Sequence, residues 1–286
     1  MIKLAAVAGC TKSVEQRSSR LAGSSKRSRR LLQKGERPCA RVLVSRQHGQ
    51  RPARDRRLDA SLRRIIHQSE CRRALDGHTG ITRDAFYQIL LKTMPGSRQI
   101  PSTTLPWQPS IDLLLFVHRV ADIVPGLYAV VRDPSRRRVL QESMDPAFAW
   151  TPPQQCPEPL PLFFLQEGDA RRAAQHASCG QDIAGDGAFA VAMLATYRSS
   201  LEAIGPWFYR RLYWETGVIG QVLYLEAEAS GIRGTGIGCF FDDVTHKIFG
   251  LTGDRYQVLY HFDDGRTGRR FAFADSPAVS TLGGSA

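Results

Sequence analysis

The chain has 286 residues, enough for one large domain or two small ones with a buried core. Its formal net charge of +12 is uneven, because residues 1–66 hold 18 of the 39 lysines and arginines but only 4 of the 27 acidic residues. The remainder is nearly neutral, so the basic character belongs to the N-terminal part. No apolar run approaches the ~20 residues that span a bilayer, and we expect no membrane-spanning helix.

The six cysteines follow no spacing typical of a small secreted domain, and none forms a C-x-x-C pair. We therefore expect no disulfide framework and a reducing, cytoplasmic location. His176 and Cys179 have ligand-like spacing, but no second pair matches them, so we expect no metal site. The run "VAGC" ending at Cys10 resembles a lipoprotein cleavage box. Its apolar stretch of six residues is shorter than the usual 7–15, which favours the cytoplasmic interpretation.

Residues 1–57 are rich in Arg, Ser, Gln and Gly and lack aromatic side chains, which predicts a disordered basic extension. The run "KRSRR" could meet nucleic acid or an acidic partner through its charge. No aromatic residue interleaves the basic ones to stack on bases, so a solvated extension without nucleic-acid binding is the favoured interpretation.

From residue 58 the pattern becomes that of a folded domain. The spacing of apolar residues predicts a helix over 58–70 and a second helix that Thr82 caps and Pro95 ends. Further along, we predict strands and helices in mixed order. The strands are 111–120, 126–133, 160–167 (a central strand, from its continuous apolar run) and 256–262; the helices are 188–204, 207–231 (buried nearly all round) and 245–251. This order predicts an α+β fold.

The run "GIRGTGIGCFFDD", residues 231–243, invites comparison with a nucleotide-binding loop. A dinucleotide fingerprint requires a strand before the glycines and a helix after them. Here a long helix precedes the glycines, so that interpretation fails. Glycines still allow backbone N–H groups to approach a planar ligand closely, and a simple chain turn is the alternative.

The longer run "YRRLYWETGVIGQVLYLEAEASGIRGTGIGCFFDD" resembles the nitroreductase superfamily, especially its SagB-type dehydrogenase branch. Glu215, Gly217, Gly220 and Gln221 match the family's buried helix. The runs "SECRRALDGHTGITRDAFYQIL", "PGLYAVVRD" and "FGLTGDRYQVLYHF" resemble its opening, an early strand and its closing strand. The resemblance implies a nitroreductase-like domain over 58–275, followed by a flexible tail over 276–286.

The resemblance implies a mixed α/β sandwich with a central, mainly antiparallel sheet, expected as an intertwined homodimer with FMN between the subunits. Its activity would be flavin-dependent oxidoreduction of a small-molecule or peptide substrate. The electron donor would be NAD(P)H for a reductase; a SagB-type dehydrogenase would pass electrons to oxygen. By motif position, the expected cofactor-binding residues are Arg72, Arg73, Gln221, Thr235, Gly236, Ile237, Gly238, Cys239 and Arg266. Arg269 and Arg270 extend the basic cluster, Trp107, Phe240 and Phe241 are candidates for a lid, and no catalytic side chain is assigned.

The phosphate-binding motif departs from the family pattern. Ser69, Glu70 and Cys71 stand where two basic residues and a serine are expected, and a glutamate opposes phosphate binding. The alternative function is therefore a degenerate, non-catalytic protein of the same fold that acts as a binding or scaffold module. Asp182 and Asp186 invite an acid/base interpretation, but two acids before an apolar helix more often complement its dipole. No hydrolase or kinase motif competes.

Overall fold

The structure is a computed structural model, and it describes residues 64–66, 75–96 and 101–265. The predicted helix over 58–70 lies outside the described residues, except for the helical residues 64–66. Helix α1 (Arg83–Thr93) begins as predicted, since the Thr82 side chain accepts a hydrogen bond from the Ala85 amide.

Within the described residues, six antiparallel strands form one sheet in the order β3-β2-β1-β4-β6-β5. The strands are β1 (Ile111–Val117), β2 (Gly126–Val130), β3 (Leu162–Glu167), β4 (Phe189–Ala195), β5 (Arg233–Ile237) and β6 (Gln257–Gly265). The remaining helices are α2 (Arg137–Ser143), α3 (Arg171–Ala177), α4 (Ile183–Asp186), α5 (Tyr197–Ile204), α6 (Tyr209–Ala229) and α7 (Asp242–Ile248). The predicted α+β class with an antiparallel sheet is confirmed.

Helices cover both faces of the sheet, and each face has its own hydrophobic core. Alternate residues of β1 divide between the cores: Leu113 and Leu115 pack with α1 and α6, whereas Leu114 and Phe116 pack with α2, α3 and α7. A strand buried on both faces reads as a continuous apolar run. This explains why β1 and β4 are apolar at nearly every position.

One predicted element and one predicted position in the sheet are wrong. The segment over 188–204 is not one helix, because its first half is the central strand β4 and only Tyr197–Ile204 is helical. A short apolar run rich in Ala, Met and Leu does not distinguish a buried strand from a buried helix. Strand β3 was expected at the centre of the sheet and lies at its edge.

The long helix α6 ends where predicted, with Gly231 at a φ of +73° just after it. The prediction that it is buried nearly all round is wrong. Leu212, Ile219 and Leu223 are in the core, but Trp214 is 53% exposed and Gly217 and Gln221 also face outward. The uncharged stretch of α6 therefore leaves one uncharged face open, on which Gly217 and Gln221 lie.

Candidate flavin site

The glycine run is not a loop throughout, because its first half is the edge strand β5. Gly234 and Gly236 pair with Asp264 and Phe262 of β6. A Cβ at Gly234 would lie 2.5 Å from the Phe262 ring, and one at Gly236 would collide with the Tyr260 hydroxyl. These glycines therefore allow side chains of β6 and α6 to pack over an edge strand.

The amide of Gly236 already has a partner inside the protein. It donates a 2.7 Å hydrogen bond to the hydroxyl of Tyr224, whose ring packs edge-on against Phe262 at 4.7 Å. Tyr224 lies on α6, so this bond ties the helix to the edge strand. The Gly236 amide is therefore engaged within the protein and is not free to donate to a planar ligand.

The second half of the run forms an exposed loop. Gly238 and Cys239 are exposed, and a Cβ at Gly238 would meet no atom within 4 Å. By contrast, Ile237 is only 3% exposed and belongs to the core, and Thr235 is 7% exposed. A ligand that approaches this segment from solvent would meet Gly238 and Cys239 first.

The loop is fastened to the segment after α3. Cys239 forms a disulfide with Cys179, with their Cα atoms 5.9 Å apart. The Gln181 side chain donates to the Cys239 carbonyl at 3.1 Å, and the Phe241 amide donates to the Ala177 carbonyl at 2.7 Å. The expectation of no disulfide is therefore wrong at this pair, because two cysteines 60 residues apart in sequence meet through the fold. The pair also removes Cys179 as a ligand beside His176.

A buried histidine lies beneath this loop. His261 pairs with Ile237 across the sheet, and its ring stacks on Phe240 at 4.8 Å and 12°. Its two ring nitrogens lie 3.0 Å and 3.4 Å from the hydroxyls of Ser178 and Thr245. Complete burial lowers the pKa of His261 to about 3, which keeps the ring neutral. Sequence reasoning missed this residue, since nothing in the run "YHF" distinguishes it from a surface histidine.

The lid candidates have separate environments. Trp107 packs edge-on against Phe208 at 5.8 Å and its indole N–H donates to Glu215 at 3.3 Å. Phe240 covers His261, whereas Phe241 is 49% exposed at the end of the loop. Of the three lid candidates, Phe241 is therefore the most exposed to solvent, and it lies beside the loop.

Glu215, which matched the family helix, is the centre of a buried polar network. Its carboxylate accepts bonds from the Ser110 amide at 3.0 Å, the Ile111 amide at 3.3 Å and Arg132 at 2.5 Å. Arg132, 2% exposed, also donates to the carbonyls of Thr93 and Ile111. The network joins α6 to the start of β1 and to the end of α1, so its role is structural.

The phosphate-binding candidates Arg72, Arg73 and Arg266 lie outside the described residues. Leu75 and Gly265 are the described residues nearest to them in sequence, and these two residues adjoin. A Cβ at Gly265 would lie 2.9 Å from the side chain of Leu75. From there β5 leads to Gly238, about 16 Å away at ~3.3 Å per residue.

Two aspartates at this end of the sheet are fully buried. Asp263 and Asp264 have no hydrogen-bond partner for either carboxylate oxygen within the described part of the chain. Burial raises the pKa of each well above its usual value, and Asp264 adds to the rise at Asp263. Neutral carboxyl groups do not repel a phosphate, so the pair is compatible with one while it remains protonated.

The apolar segment that follows Asp186 is the strand β4, so the two acids do not precede the helix predicted over 188–204. Their interpretation as dipole partners of that helix is therefore wrong, and Asp182 instead occupies the N-cap position of the short helix α4. Burial raises the pKa of Asp186, with a further contribution from Asp182. A Cβ at Gly77 would lie 3.2 Å from the Asp186 carboxylate, which places this acid beside the predicted family opening.

A cavity of about 310 Å³ lies elsewhere, lined by Val131, Pro134, Arg137, Cys156 and Phe163 among others. None of the predicted site residues lines it. Among the described residues, no cluster of His, Cys, Asp or Glu has the arrangement of a metal site. The same part of the chain contains no helix that is both long and apolar enough to cross a membrane.

Comparisons with known proteins agree with the architecture. The model of the nitroreductase family matches residues 127–265. A putative nitroreductase from Anabaena variabilis superimposes with a TM-score of 0.56 at 21% identity, over 73% of this chain and 38% of that one. The chain therefore spans well under half of that relative. At this identity the match establishes the nitroreductase fold and leaves the activity open.

Two further structures are more distant. A putative nitroreductase from Ralstonia eutropha has a TM-score of 0.49 at 14% identity, over 72% of this chain and 83% of that one. The Escherichia coli microcin synthetase McbBCD complex with truncated pro-MccB17 has a TM-score of 0.47 at 14% identity, over 92% of this chain and 84% of that one. No curated protein sequence matches.

Proposed function

We propose that the chain is an FMN-dependent oxidoreductase of the nitroreductase superfamily. The supporting observation is the exposed Gly238–Cys239 loop at the end of an edge strand, with the adjoining ends of the described chain about 16 Å away along β5. The first offers an open backbone to a ring, and the second lies close in sequence to the candidate phosphate-binding residues Arg72, Arg73 and Arg266. Bound FMN would supply two-electron transfer, and the protein would supply binding and orientation.

Each group of residues has a defined task in this proposal. The exposed backbone at Gly238 and Cys239 would hold the ring edge of bound FMN, since backbone N–H donors stabilise negative charge. The arginines would hold its phosphate, for which guanidinium groups are suited. Gln221, exposed on the open face of α6, would contact the ring. Thr235, Gly236 and Ile237 place the loop through their pairing with β6.

The proposal includes a homodimer. Trp214, Gly217 and Gln221 are exposed and spaced three and four apart on α6, so they form one stripe, and the exposed Tyr213 lies beside it, four residues before Gly217. Trp207 adds to its aromatic end, and Arg211 lies over the Trp214 ring at 3.8 Å. A second copy of the chain is the occupant that the resemblance implies for this face.

NAD(P)H-dependent reduction and SagB-type dehydrogenation are the two finer versions of the proposed chemistry. The substrate would be a small molecule or a peptide, and the location cytoplasmic. Reduction of bound flavin by NADPH without oxygen would support the reductase version. Flavin that stays oxidised with NADPH but turns over with an azoline peptide and oxygen would support the dehydrogenase version.

The test of the proposal is a visible absorption spectrum of the purified full chain, before and after addition of FMN and removal of the excess. A stoichiometric flavin spectrum is expected. Arg73→Ala should weaken FMN binding, whereas Arg138→Ala, on the exposed face of α2, should leave it unchanged. A protein that takes up no FMN would refute the proposal.

A non-catalytic binding protein of the same fold is the second candidate. The observation that favours it is the altered motif Ser69, Glu70 and Cys71, in which a glutamate stands where a basic residue is expected and opposes a phosphate. FMN uptake that appears in Glu70→Arg but not in the native chain would favour this candidate.

A further inference from the structure

The Cys179–Cys239 bridge joins two segments that lie outside the hydrogen-bonded ladders. Cys179 follows α3 and Cys239 follows β5, so opening the bridge breaks no strand pairing. The Cα separation of 5.9 Å lies in the ordinary range for a disulfide. Closure and opening of the bridge can therefore proceed without rearrangement of the sheet.

The two sulfur-bearing residues differ in accessibility. Cys239 is exposed and Cys179 is partly exposed, in contrast to the buried residues Ser178 and His261 beneath them. Thiol–disulfide exchange requires a thiolate to reach one sulfur of the bridge. An external thiolate would thus attack Cys239 and release Cys179.

The bridge also determines how firmly the exposed loop is held. Without it, two hydrogen bonds still link the loop to the α3 side within the described part of the chain. The Gln181 side chain bonds to the Cys239 carbonyl, and the Phe241 amide bonds to the Ala177 carbonyl. Gly236 is held independently by Tyr224 of α6. Reduction should therefore loosen Gly238 to Phe241 and leave Gly236 in place.

We propose that Cys179 and Cys239 form a reversible dithiol–disulfide pair that exchanges with external low-molecular-weight thiols at Cys239 and, when closed, fixes the Gly238–Cys239 loop for its ligand. The identity of that ligand as FMN rests on the proposed function. In the first step the external thiolate bonds to the Cys239 sulfur, the bridge breaks, and Cys179 leaves as a thiolate that takes a proton from water.

In the second step another external thiolate attacks the external sulfur of this mixed disulfide. Cys239 is released as a thiolate and is protonated, and the two external thiols leave as their own disulfide. The protein gains two electrons and two protons, and the reagent loses the same number.

Closure of the bridge and binding of FMN are coupled in this proposal. A loop already fixed by the bridge loses less conformational freedom when a ligand binds. The factor by which oxidation raises FMN affinity must equal the factor by which FMN stabilises the disulfide. For a two-electron couple, about tenfold in affinity corresponds to about 30 mV in midpoint potential.

The test uses the full chain equilibrated in buffers of reduced and oxidised dithiothreitol, trapped by alkylation and read by peptide mass spectrometry. A single two-electron transition at Cys179 and Cys239 is expected while the protein stays folded. Cys156→Ser is the matched control, since Cys156 is a free cysteine in a different part of the molecule, and it should leave the transition unchanged. A bridge that is absent under oxidising conditions, or that opens only on unfolding, would overturn the proposal.

Amide hydrogen exchange, measured without flavin, tests whether the disulfide restrains the loop or has no effect on it. Reduction, or Cys239→Ser, should accelerate exchange of the Phe241 amide and leave that of Gly236 unchanged. Equal protection of Phe241 in both redox forms would overturn the claim that the bridge fixes the loop.

Titration with FMN then tests the coupling. The oxidised chain is expected to bind about tenfold more tightly than the reduced chain, with the corresponding shift in midpoint potential. Equal affinities would overturn the coupling and leave the proposed function intact. If neither form binds FMN, the proposed function and the coupling both fail, while the alkylation and exchange results still decide the thiol chemistry and the effect on the loop.

Discussion

Removal of the Glu215 carboxylate should strongly destabilise the protein. In Glu215→Ala, the guanidinium of Arg132 stays buried without its counter-charge, and the amides of Ser110 and Ile111 lose their acceptor. Breaking a buried ion pair on one side costs about 3–5 kcal/mol. Arg132 keeps its bonds to two carbonyls, so we expect a loss within that range rather than above it.

Urea and thermal unfolding followed by circular dichroism measure this loss. For a domain of this size, 3–5 kcal/mol corresponds to a fall in Tm of about 6–20 °C. The control is Glu142→Ala, which removes an exposed pair with Arg138 and should cause no measurable shift. Arg132→Met added to Glu215→Ala should recover part of the loss, because the uncompensated charge disappears. A double variant less stable than Glu215→Ala would refute this reasoning.

Three further predictions concern the edge strand, the buried acids and the open face of α6. Gly236→Ala should destabilise the protein by about 1–3 kcal/mol in urea unfolding, because the added Cβ collides with the Tyr260 hydroxyl. Gly238→Ala should leave stability unchanged and weaken only FMN binding, because its Cβ meets no atom. Equal stabilities of the two variants would contradict this prediction. Asp264→Asn should become more stable relative to the native protein as pH rises above about 4, by up to about 1.4 kcal/mol per pH unit until the raised pKa of Asp264 is reached. The reason is that the carboxyl group of Asp264 keeps its proton in the folded native protein but ionises in the unfolded chain. A stability difference that stays constant across pH would instead indicate a cation beside Asp264. Gly217→Arg should shift the sedimentation of the chain from dimer to monomer without unfolding it. Val139→Arg, on the exposed side of α2, should leave the dimer intact. If Gly217→Arg stays dimeric, the interface lies elsewhere.

The sequence predicted secondary-structure elements well where capping or chain-breaking residues agreed with the periodicity of apolar residues. Thr82 marked the start of α1, Gly231 marked the end of α6, and the alternation over 256–262 identified β6. It failed at Phe189–Ala195, where a strand buried on both faces has no alternation to reveal it. Local composition there favours a helix, and only the neighbouring strands decide otherwise.

The candidate site was predictable only in part, and the reason is again non-local. The residues of the glycine run were identified by motif, but the partners that constrain them come from distant segments. Cys179 and Tyr224 each approach the run through the fold. Likewise, two acidic letters in "FDDG" read as an exposed turn, and only the packing of the sheet end shows Asp263 and Asp264 to be buried.

The contact between Leu75 and Gly265 has a practical consequence for engineering the domain. Chain ends that lie side by side can be joined by a short linker, and new ends can be opened in an exposed turn, with the core preserved. The turn at Gly253 is exposed and has a φ of +72°. A circular permutant that joins Gly265 to Leu75 and begins after Gly253 would keep all six strands in register. It would lack residues 1–74 and 266–286, so the contribution of those segments to binding could be measured separately from folding.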